Sequence, residues 1–164
     1  MTASLLVFGW GNASRGDDAL GPLFVQQLRE FAESSAGIEV DFLEDYQLQI
    51  EHALDLTGRE RVLFVDASIS CTPPFEVTTL HAARDASFTT HSLSAQSVMQ
   101  VYRDISGKTP PACTLLAIRG TGFELGQSPG WQALGHLGEA LAWGQRWLED
   151  NPVLEAIARQ ASHA

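Results

Sequence analysis

The sequence predicts an α/β fold, a three-layer α/β/α sandwich around a mostly parallel sheet of about five strands with one antiparallel edge strand. Short apolar runs of strand length alternate along the chain with longer stretches whose apolar residues recur at helical spacing. This alternation implies right-handed crossovers that place helices on both faces of the sheet. The 164 residues contain no internal repeat, low-complexity segment or domain boundary, which predicts one domain spanning 1–164.

The first predicted element is a strand at residues 4–8, apolar at nearly every position, as expected of a strand covered on both faces. Gly9 and Gly11 follow it and allow the backbone to turn sharply. Asp17 and Asp18 come next, where the unpaired N–H groups and the positive dipole end of a helix favour carboxylates. Apolar residues at helical spacing then predict a helix at about 18–33.

The rest of the chain continues the same alternation. Further strands are predicted at 38–43, 62–65, 75–80 and 113–118, and further helices at about 47–56, 94–105 and 131–149. The strand at 75–80 follows its predecessor with no room for a crossover helix, so we expect it to be antiparallel and near an edge. Residues 120–130 form a long glycine-rich loop, and residues 151–164, which begin beside Pro152, are predicted to be a C-terminal tail.

Composition excludes several classes of partner. The chain has 10 Lys and Arg against 20 Asp and Glu, a formal charge of −10, and so lacks the basic balance of a protein that binds nucleic acid through its phosphates. Its N-terminus has no basic segment, and no apolar run reaches the length of a membrane span, so we expect a cytoplasmic protein. Two cysteines, Cys71 and Cys113, are too few for a disulfide framework and are expected to be reduced thiols.

Polar side chains with metal-binding chemistry follow the predicted strands. Asp17 and Asp18 come after the first strand, Asp66 closes the third, and His91 precedes the helix at 94–105. Ligands of parallel sheets bind outside the carboxyl ends of the strands, so these side chains are expected near one site. Two carboxylates and an imidazole suit a divalent transition metal, and they also suit acid–base chemistry on a water molecule. Asp17 is expected to be only a helix cap or a solvated neighbour.

The glycine turn at 9–12 is not predicted to bind a dinucleotide. A GxGxxG fingerprint would place its third glycine at position 14, where this chain has Ser14. Trp10 stands where a pyrophosphate needs open backbone, and the carboxylates of Asp17 and Asp18 would repel phosphate. We therefore expect no organic cofactor.

Four blocks of the sequence together resemble the hydrogenase maturation proteases, endopeptidases that remove a C-terminal extension from the large subunit of nickel–iron hydrogenases. The blocks are Gly-Trp-Gly-Asn at 9–12, Asp-Asp-Ala-Leu-Gly at 17–21, Phe-Val-Asp-Ala at 64–67 and Thr-His-Ser-Leu at 90–93. The resemblance spans roughly residues 4–150. The sequences of the longer segments 15–22 and 45–56 are most similar to the branch of the family that serves bidirectional, NAD-reducing hydrogenases.

The resemblance implies a site and a partner. Asp18, Asp66 and His91 would be the metal-binding residues, and the metal would be nickel supplied by the substrate. The partner would be the nickel-loaded large-subunit precursor, cut by a monomeric protease in which one carboxylate, Asp66, or the metal itself activates the attacking water. The sequence departs from the family pattern at two positions. Some relatives have glutamate at the position of Asp18. Many have a Gly-Thr turn where this chain has Tyr46-Gln47, and this second departure points to a different partner preference.

Other functions are compatible with parts of the sequence. A non-catalytic, nickel-dependent hydrogenase assembly factor would use the same three residues. A peptidyl-tRNA hydrolase also has a Gly-x-Gly-Asn turn after its first strand, but it would need a basic face for tRNA. A cysteine hydrolase using Cys71 ranks last, because its surroundings offer no helix N-terminus to lower the thiol pKa.

Overall fold

The computed structural model describes residues 2–84 and 93–150. The strands are β1 (Leu5–Trp10), β2 (Val40–Asp45), β3 (Arg61–Ser68), β4 (Phe75–Leu80) and β5 (Ala112–Arg119). The α-helices are α1 (Leu20–Glu33), α2 (Ala95–Ser106) and α3 (Trp131–Glu149), and two 3-10 helices span Gly16–Ala19 and Ile50–Leu56. The sequence patterns therefore placed every one of these strands and long helices at its correct position along the chain.

The five strands form one sheet in the order β2-β1-β3-β5-β4. β1 pairs in parallel with β2 and β3, β3 pairs in parallel with β5, and β4 pairs antiparallel with β5 at the sheet edge. The predicted fold class is confirmed. The chain moves outward from β1 to β2 and then returns to the other side of β1 to form β3, so the topological switch point lies between β1 and β3.

Two apolar layers cover the sheet. On one face α1 and α3 pack on side chains that include Val7, Val65 and Leu116. On the other face α2 and the 3-10 helix Ile50–Leu56 pack on side chains that include Phe8 and Phe64. Successive residues of β1 and β3 point into opposite layers, which explains why these central strands are continuously apolar. No helix among the described residues is long and apolar enough to cross a membrane.

Three elements differ in kind or length from their predictions. The helix predicted from residue 18 begins with the 3-10 turn Gly16–Ala19 and becomes α-helical only at Leu20. The helix predicted at 47–56 is the 3-10 helix Ile50–Leu56, which starts in a capping box between Gln49 and His52. β3 continues to Ser68, so Asp66 lies inside the strand, two residues before its end.

Both cysteines are buried and unpaired, as expected. Cys71 donates a hydrogen bond from Sγ to the carbonyl oxygen of Ala117, at 3.5 Å. Burial raises the pKa of the Cys113 thiol to about 12. Because the thiolate is the nucleophilic form, Cys113 is unsuited to catalysis.

Candidate functional site

The glycine-rich corner after β1 places the backbone of the chain against the start of α1. A Cβ atom at Gly9 would lie 2.5 Å from the carbonyl oxygen of Gly21, closer than side chains come to backbone. Gly11 has a φ of +149°, and a Cβ atom there would overlap the carbonyl oxygen of Asp18. Only glycine fits these approaches, and their consequence is that Asp18 is held directly beside the end of β1.

Asp18 is half-buried and its carboxylate is anchored on one side. Its Oδ2 accepts a hydrogen bond from the backbone N–H of Asn12, at 2.8 Å. Asn12 is itself fixed, because its Oδ1 accepts from the N–H of Ser14 at 2.8 Å and its Nδ2 donates to the hydroxyl of Tyr46 at 2.9 Å. Within the described residues, Oδ1 of Asp18 accepts no hydrogen bond, so this oxygen can bind an external partner.

Asp66 lies on β3, next to β1, and its charged form is disfavoured. Burial and, as the second cause, the negative charge of Asp18 together raise the pKa of Asp66 to about 7, and the hydrogen bond from the N–H of Ala67 opposes this only in part. Two neighbouring carboxylates at the switch point of the sheet, one of which raises the pKa of the other, form the kind of pair that a cation or a shared proton stabilises. The structure therefore brings together two of the three predicted site residues.

The third predicted residue, His91, lies outside the described residues. Over residues 2–84 and 93–150, no group of three or more His, Cys, Asp or Glu side chains is arranged to hold a metal ion. Asp18 and Asp66 alone do not fill the coordination sphere of a transition metal. A complete site at this position requires ligands from elsewhere, and His91 stays a prediction.

The expectation for Asp17 was wrong. Asp17 is neither a helix cap nor a solvated neighbour: it is 2% exposed, and its carboxylate accepts backbone hydrogen bonds from Thr121, Gly122 and Gly130 at 2.7, 3.0 and 2.8 Å. Burial tends to raise the pKa of Asp17, but these hydrogen bonds together hold it below its ordinary value. Asp17 stays ionised and fastens the loop after β5 beside the site.

Further backbone hydrogen bonds secure this loop, residues 120–130. The N–H of Gly16 donates to Gln127 at 2.9 Å, and the N–H of Gly126 donates to Ser14 at 2.7 Å. The N–H of Asp17 donates to the carbonyl oxygen of Gly122, also at 2.7 Å. The loop is therefore an ordered wall of the site. Sequence reasoning missed it, although the density of glycines at 120, 122, 126 and 130 was a signal of close backbone approach.

The opposite wall comes from the end of β2. His52 accepts at Nδ1 from the N–H of Gln49, at 2.8 Å, so its Nε2–H donates to Asp45 Oδ2, at 3.0 Å. Tyr46 is 62% exposed and bonded to Asn12. A hollow of about 440 Å³ separates this wall from the glycine corner. Trp10 packs edge-on against Phe64, with ring centroids 5.9 Å apart, and so contributes to the core.

A larger groove, of about 650 Å³, lies between the loop after β5 and the first turns of α3. Arg119 at the end of β5 forms its floor, and Trp131 and His136 on α3 form one side. Arg119 Nε is buried, and it is the single buried side-chain nitrogen or oxygen that lacks a hydrogen-bond partner in the described part of the chain. Such unsatisfied groups are uncommon in folded proteins and are found at functional sites.

Neither a protein-family model nor a curated protein matches the sequence, whereas solved structures match its fold. The [NiFe] hydrogenase maturation protease HycI from Thermococcus kodakarensis is 19% identical, with a TM-score of 0.68 over 90% of this chain and 94% of that one. The hydrogenase maturating endopeptidase HybD from E. coli is 20% identical, with a TM-score of 0.68 over 88% and 91%. The hydrogenase 2 maturation peptidase from a Thaumarchaeota archaeon is 23% identical, with a TM-score of 0.62 over 88% and 97%. The chain thus has, over most of its length, the fold of these proteases.

Proposed function

We propose that this protein is an endopeptidase that removes the C-terminal extension of a nickel–iron hydrogenase large-subunit precursor after nickel has been inserted. The proposal is supported by the fold that the chain shares with solved hydrogenase maturation proteases. Fold alone does not determine function, so the chemistry of the site must support the proposal as well.

The observation that carries the proposal is the pair of carboxylates at the switch point of the sheet. Burial and the neighbouring charge of Asp18 together raise the pKa of Asp66 to about 7. A cation placed between the two carboxylates would remove their repulsion and replace the proton of Asp66. Carboxylates of this kind are suited to bind a divalent metal that arrives with another molecule.

In the proposed reaction the nickel belongs to the substrate. Asp18, Asp66 and His91 act as ligands that dock the nickel-loaded precursor, so that the scissile peptide bond lies beside them. A water molecule adds to the scissile carbonyl carbon, and the C–N bond breaks as the leaving amine takes up a proton. Asp66 is the carboxylate that we assign to accept the proton of that water.

The substrate that we propose is the large subunit of a bidirectional, NAD-reducing hydrogenase. Support comes from the sequence resemblance of segments 15–22 and 45–56 to that branch of the family. Further support comes from Tyr46, which is exposed at the rim of the site. Exposed aromatic side chains beside a cleft are common anchors for protein partners. A protease with another residue at the position of Tyr46 would contact a different surface of its precursor.

The test is to incubate the purified protein with nickel-loaded and nickel-free precursor and to weigh the products by mass spectrometry. We expect loss of a C-terminal peptide from the nickel-loaded form only. Asp18→Asn and Asp66→Asn should abolish this cleavage, whereas Asp104→Asn, on the exposed surface of α2, should leave it unchanged. Equal cleavage of nickel-free precursor would disprove the role of nickel in recognition.

The same experiment separates a protease from an assembly factor. An assembly factor would bind the nickel-loaded precursor through Asp18, Asp66 and His91 and leave its mass unchanged. A protease changes the mass by one complete C-terminal segment. Binding without any change in mass would therefore replace the proposed function by the non-catalytic alternative.

A further inference from the structure

We propose that the groove beside α3 binds the C-terminal extension of the substrate as an extended polypeptide. This groove, called the α3 groove below, is lined by residues that include Pro73, Arg119, Thr121, Trp131, Gly135 and His136. The inference rests on the proposed function for the identity of its ligand. Its ligand chemistry, a peptide backbone with an apolar side chain, follows from the groove itself.

The position of the α3 groove relative to the carboxylate pair is the first argument. Ser68 of β3 pairs with Arg119 of β5, and Asp66 pairs with Ala117, so Arg119 lies one strand across and two residues farther toward the same sheet edge. From the spacing of residues and strands, the Cα atoms of Asp66 and Arg119 are separated by about 8 Å. An extended polypeptide covers this distance in about three residues. Asp66 lies on the α2 face of the sheet and the groove lies beside α3, so a chain cut beside Asp66 would cross the end of β5 to enter the groove.

The side wall has the chemistry of a peptide-binding surface. Trp131, the first residue of α3, is 81% exposed. An indole that is mostly exposed forfeits most of the free energy of burying its apolar surface, and tryptophan is enriched among residues that dominate binding. The residue before it, Gly130, is tied to Asp17 by its N–H at 2.8 Å, which fixes where α3 begins. Trp131 is thus presented on a rigid element as a platform for an apolar side chain.

A polar group of the wall complements a peptide backbone. His136 lies 3.0 Å from the carbonyl oxygen of Arg119 through its Nδ1. A carbonyl oxygen only accepts, so Nδ1 carries the proton and Nε2 of the neutral ring is an acceptor. Within the described residues Nε2 has no hydrogen-bond partner, and a peptide N–H of the ligand would supply one.

The floor of the α3 groove is already in place without a ligand. Arg119 donates from Nη1 to the carbonyl oxygen of Cys71 at 2.6 Å and from its backbone N–H to Pro74 at 3.1 Å. The N–H of Gly120 donates to Ser68 at 2.9 Å. A preformed floor lowers the entropy cost of binding a flexible polypeptide.

Two glycines of α3 provide a matched test. A Cβ atom at Gly135 or Gly138 would meet no atom within 4 Å, so Gly135→Phe and Gly138→Phe are both expected to fold. Gly135 lines the α3 groove and Gly138 does not. Trp131→Ala gives a second variant of the groove. Its control is Ile105→Ala, which removes an exposed apolar side chain on α2.

The measurement is the dissociation constant for nickel-free precursor and for the nickel-free form of the processed large subunit, which lacks the extension. We expect wild type to bind the precursor more tightly than the processed form. Gly135→Phe and Trp131→Ala should each weaken precursor binding at least tenfold and leave binding of the processed form unchanged. Both control variants should remain within twofold of wild type for both forms.

Three results would overturn the proposal: equal affinity of wild type for the two forms, wild-type binding of the precursor by both groove variants, or equal weakening of both forms. The last result would mean that the groove contacts the body of the large subunit. Failure of the proposed function would look different, since wild type would then leave nickel-loaded precursor uncut while the groove variants still lost their preference for the extension.

Discussion

The charge of Asp18 and the burial of Asp66 both raise the pKa of the Asp66 carboxyl group, and a single substitution at Asp18 separates the two effects. Burial is the larger cause that raises the pKa of Asp66 to about 7, and the charge of Asp18 is the second. We expect Asp18→Asn in the metal-free protein to lower the pKa of Asp66 but to leave it above the ordinary value of 3.8.

A carbon-13 NMR titration of the aspartate carboxyl groups measures this change. Asp104→Asn is the control, because Asp104 is exposed on α2 and is bonded to Arg84 and Gln100 instead of Asp66. A pKa of Asp66 that stays near 7 in Asp18→Asn would contradict the electrostatic interaction between the two carboxylates. A fall to the ordinary aspartate value would mean that burial is not the larger cause.

The same raised pKa makes stability depend on pH. Unfolded Asp66 ionises near 3.8 and folded Asp66 near 7, so its contribution to stability is present below 3.8 and is lost as the pH rises through 7. Asn has no such loss, so Asp66→Asn should gain stability relative to wild type between pH 5 and pH 8, by about 2–3 kcal/mol. Urea unfolding at the two pH values measures the difference. A pH-independent difference would show that Asp66 titrates normally.

Asp17 matters for stability in a different way, through the loop that it fastens. Asp17→Ala leaves the N–H groups of Thr121, Gly122 and Gly130 without their acceptor, and we expect a loss of about 3 kcal/mol in the free energy of unfolding. Urea unfolding measures it, with Glu33→Ala at the exposed end of α1 as the control. A loss equal to that of the control would mean that the loop does not depend on Asp17.

Sequence reasoning predicted that Asp18 and Asp66 lie near each other but misjudged Asp17, for a physical reason. The first two follow from a general property of parallel sheets, in which polar side chains at the carboxyl ends of neighbouring strands converge. The partners of Asp17 are backbone N–H groups, 104 to 113 residues away along the chain. Backbone groups carry no signature of residue type, so such a contact emerges only from the folded chain.

At the scale of elements, β1 and α1 approach so closely at two glycines that we expect no side chain to be tolerated there. A Cβ at Gly9 would lie 2.5 Å from the Gly21 carbonyl oxygen, and a Cβ at Gly21 would overlap the carbonyl oxygen of Trp10. Gly9→Ala and Gly21→Ala must therefore separate β1 from α1, and we expect each to cost about 3 kcal/mol or more.

Gly135→Ala is the matched substitution with the opposite sign. Its Cβ meets no atom within 4 Å, and alanine is favoured over glycine inside a helix, so we expect a gain of about 0.5–1 kcal/mol. Thermal and urea unfolding of the three variants compare these effects. A stable Gly21→Ala protein would contradict the close contact between the strand and the helix.

The order and kind of the elements could be predicted because their periodicities are local. The antiparallel pairing of β4 was also predictable, since only residues 69–74 separate it from β3, too few for a crossover. The 3-10 geometry of Ile50–Leu56 was not, because its apolar spacing resembles that of a short α-helix. The capping box of Gln49 and His52, whose imidazole also bonds to Asp45, fixes how this segment begins.

At the scale of the whole molecule, the two apolar layers share one set of strands. Leu6 and Phe8 of β1 point into the layer under α2, while Leu5 and Val7 point into the layer under α1 and α3. Loss of either layer would expose one side of β1 and of β3, so neither layer can persist without the other. We therefore expect the protein to unfold as one cooperative unit.

Tryptophans on both sides of the sheet allow this expectation to be measured. Trp143 packs with Phe75 beside the α1–α3 layer, and Trp10 packs with Phe64 in the α2 layer. In Trp10→Phe the packed indoles that remain, Trp143 and Trp147, report on the α1–α3 layer. In the double variant Trp143→Phe/Trp147→Phe the packed indole that remains is Trp10, which reports on the α2 layer. In each variant the fluorescence midpoint in urea should equal the midpoint from far-UV circular dichroism, because a single transition removes both layers. Two midpoints within one variant would mean that the layers unfold in separate steps and that the chain is not one cooperative domain.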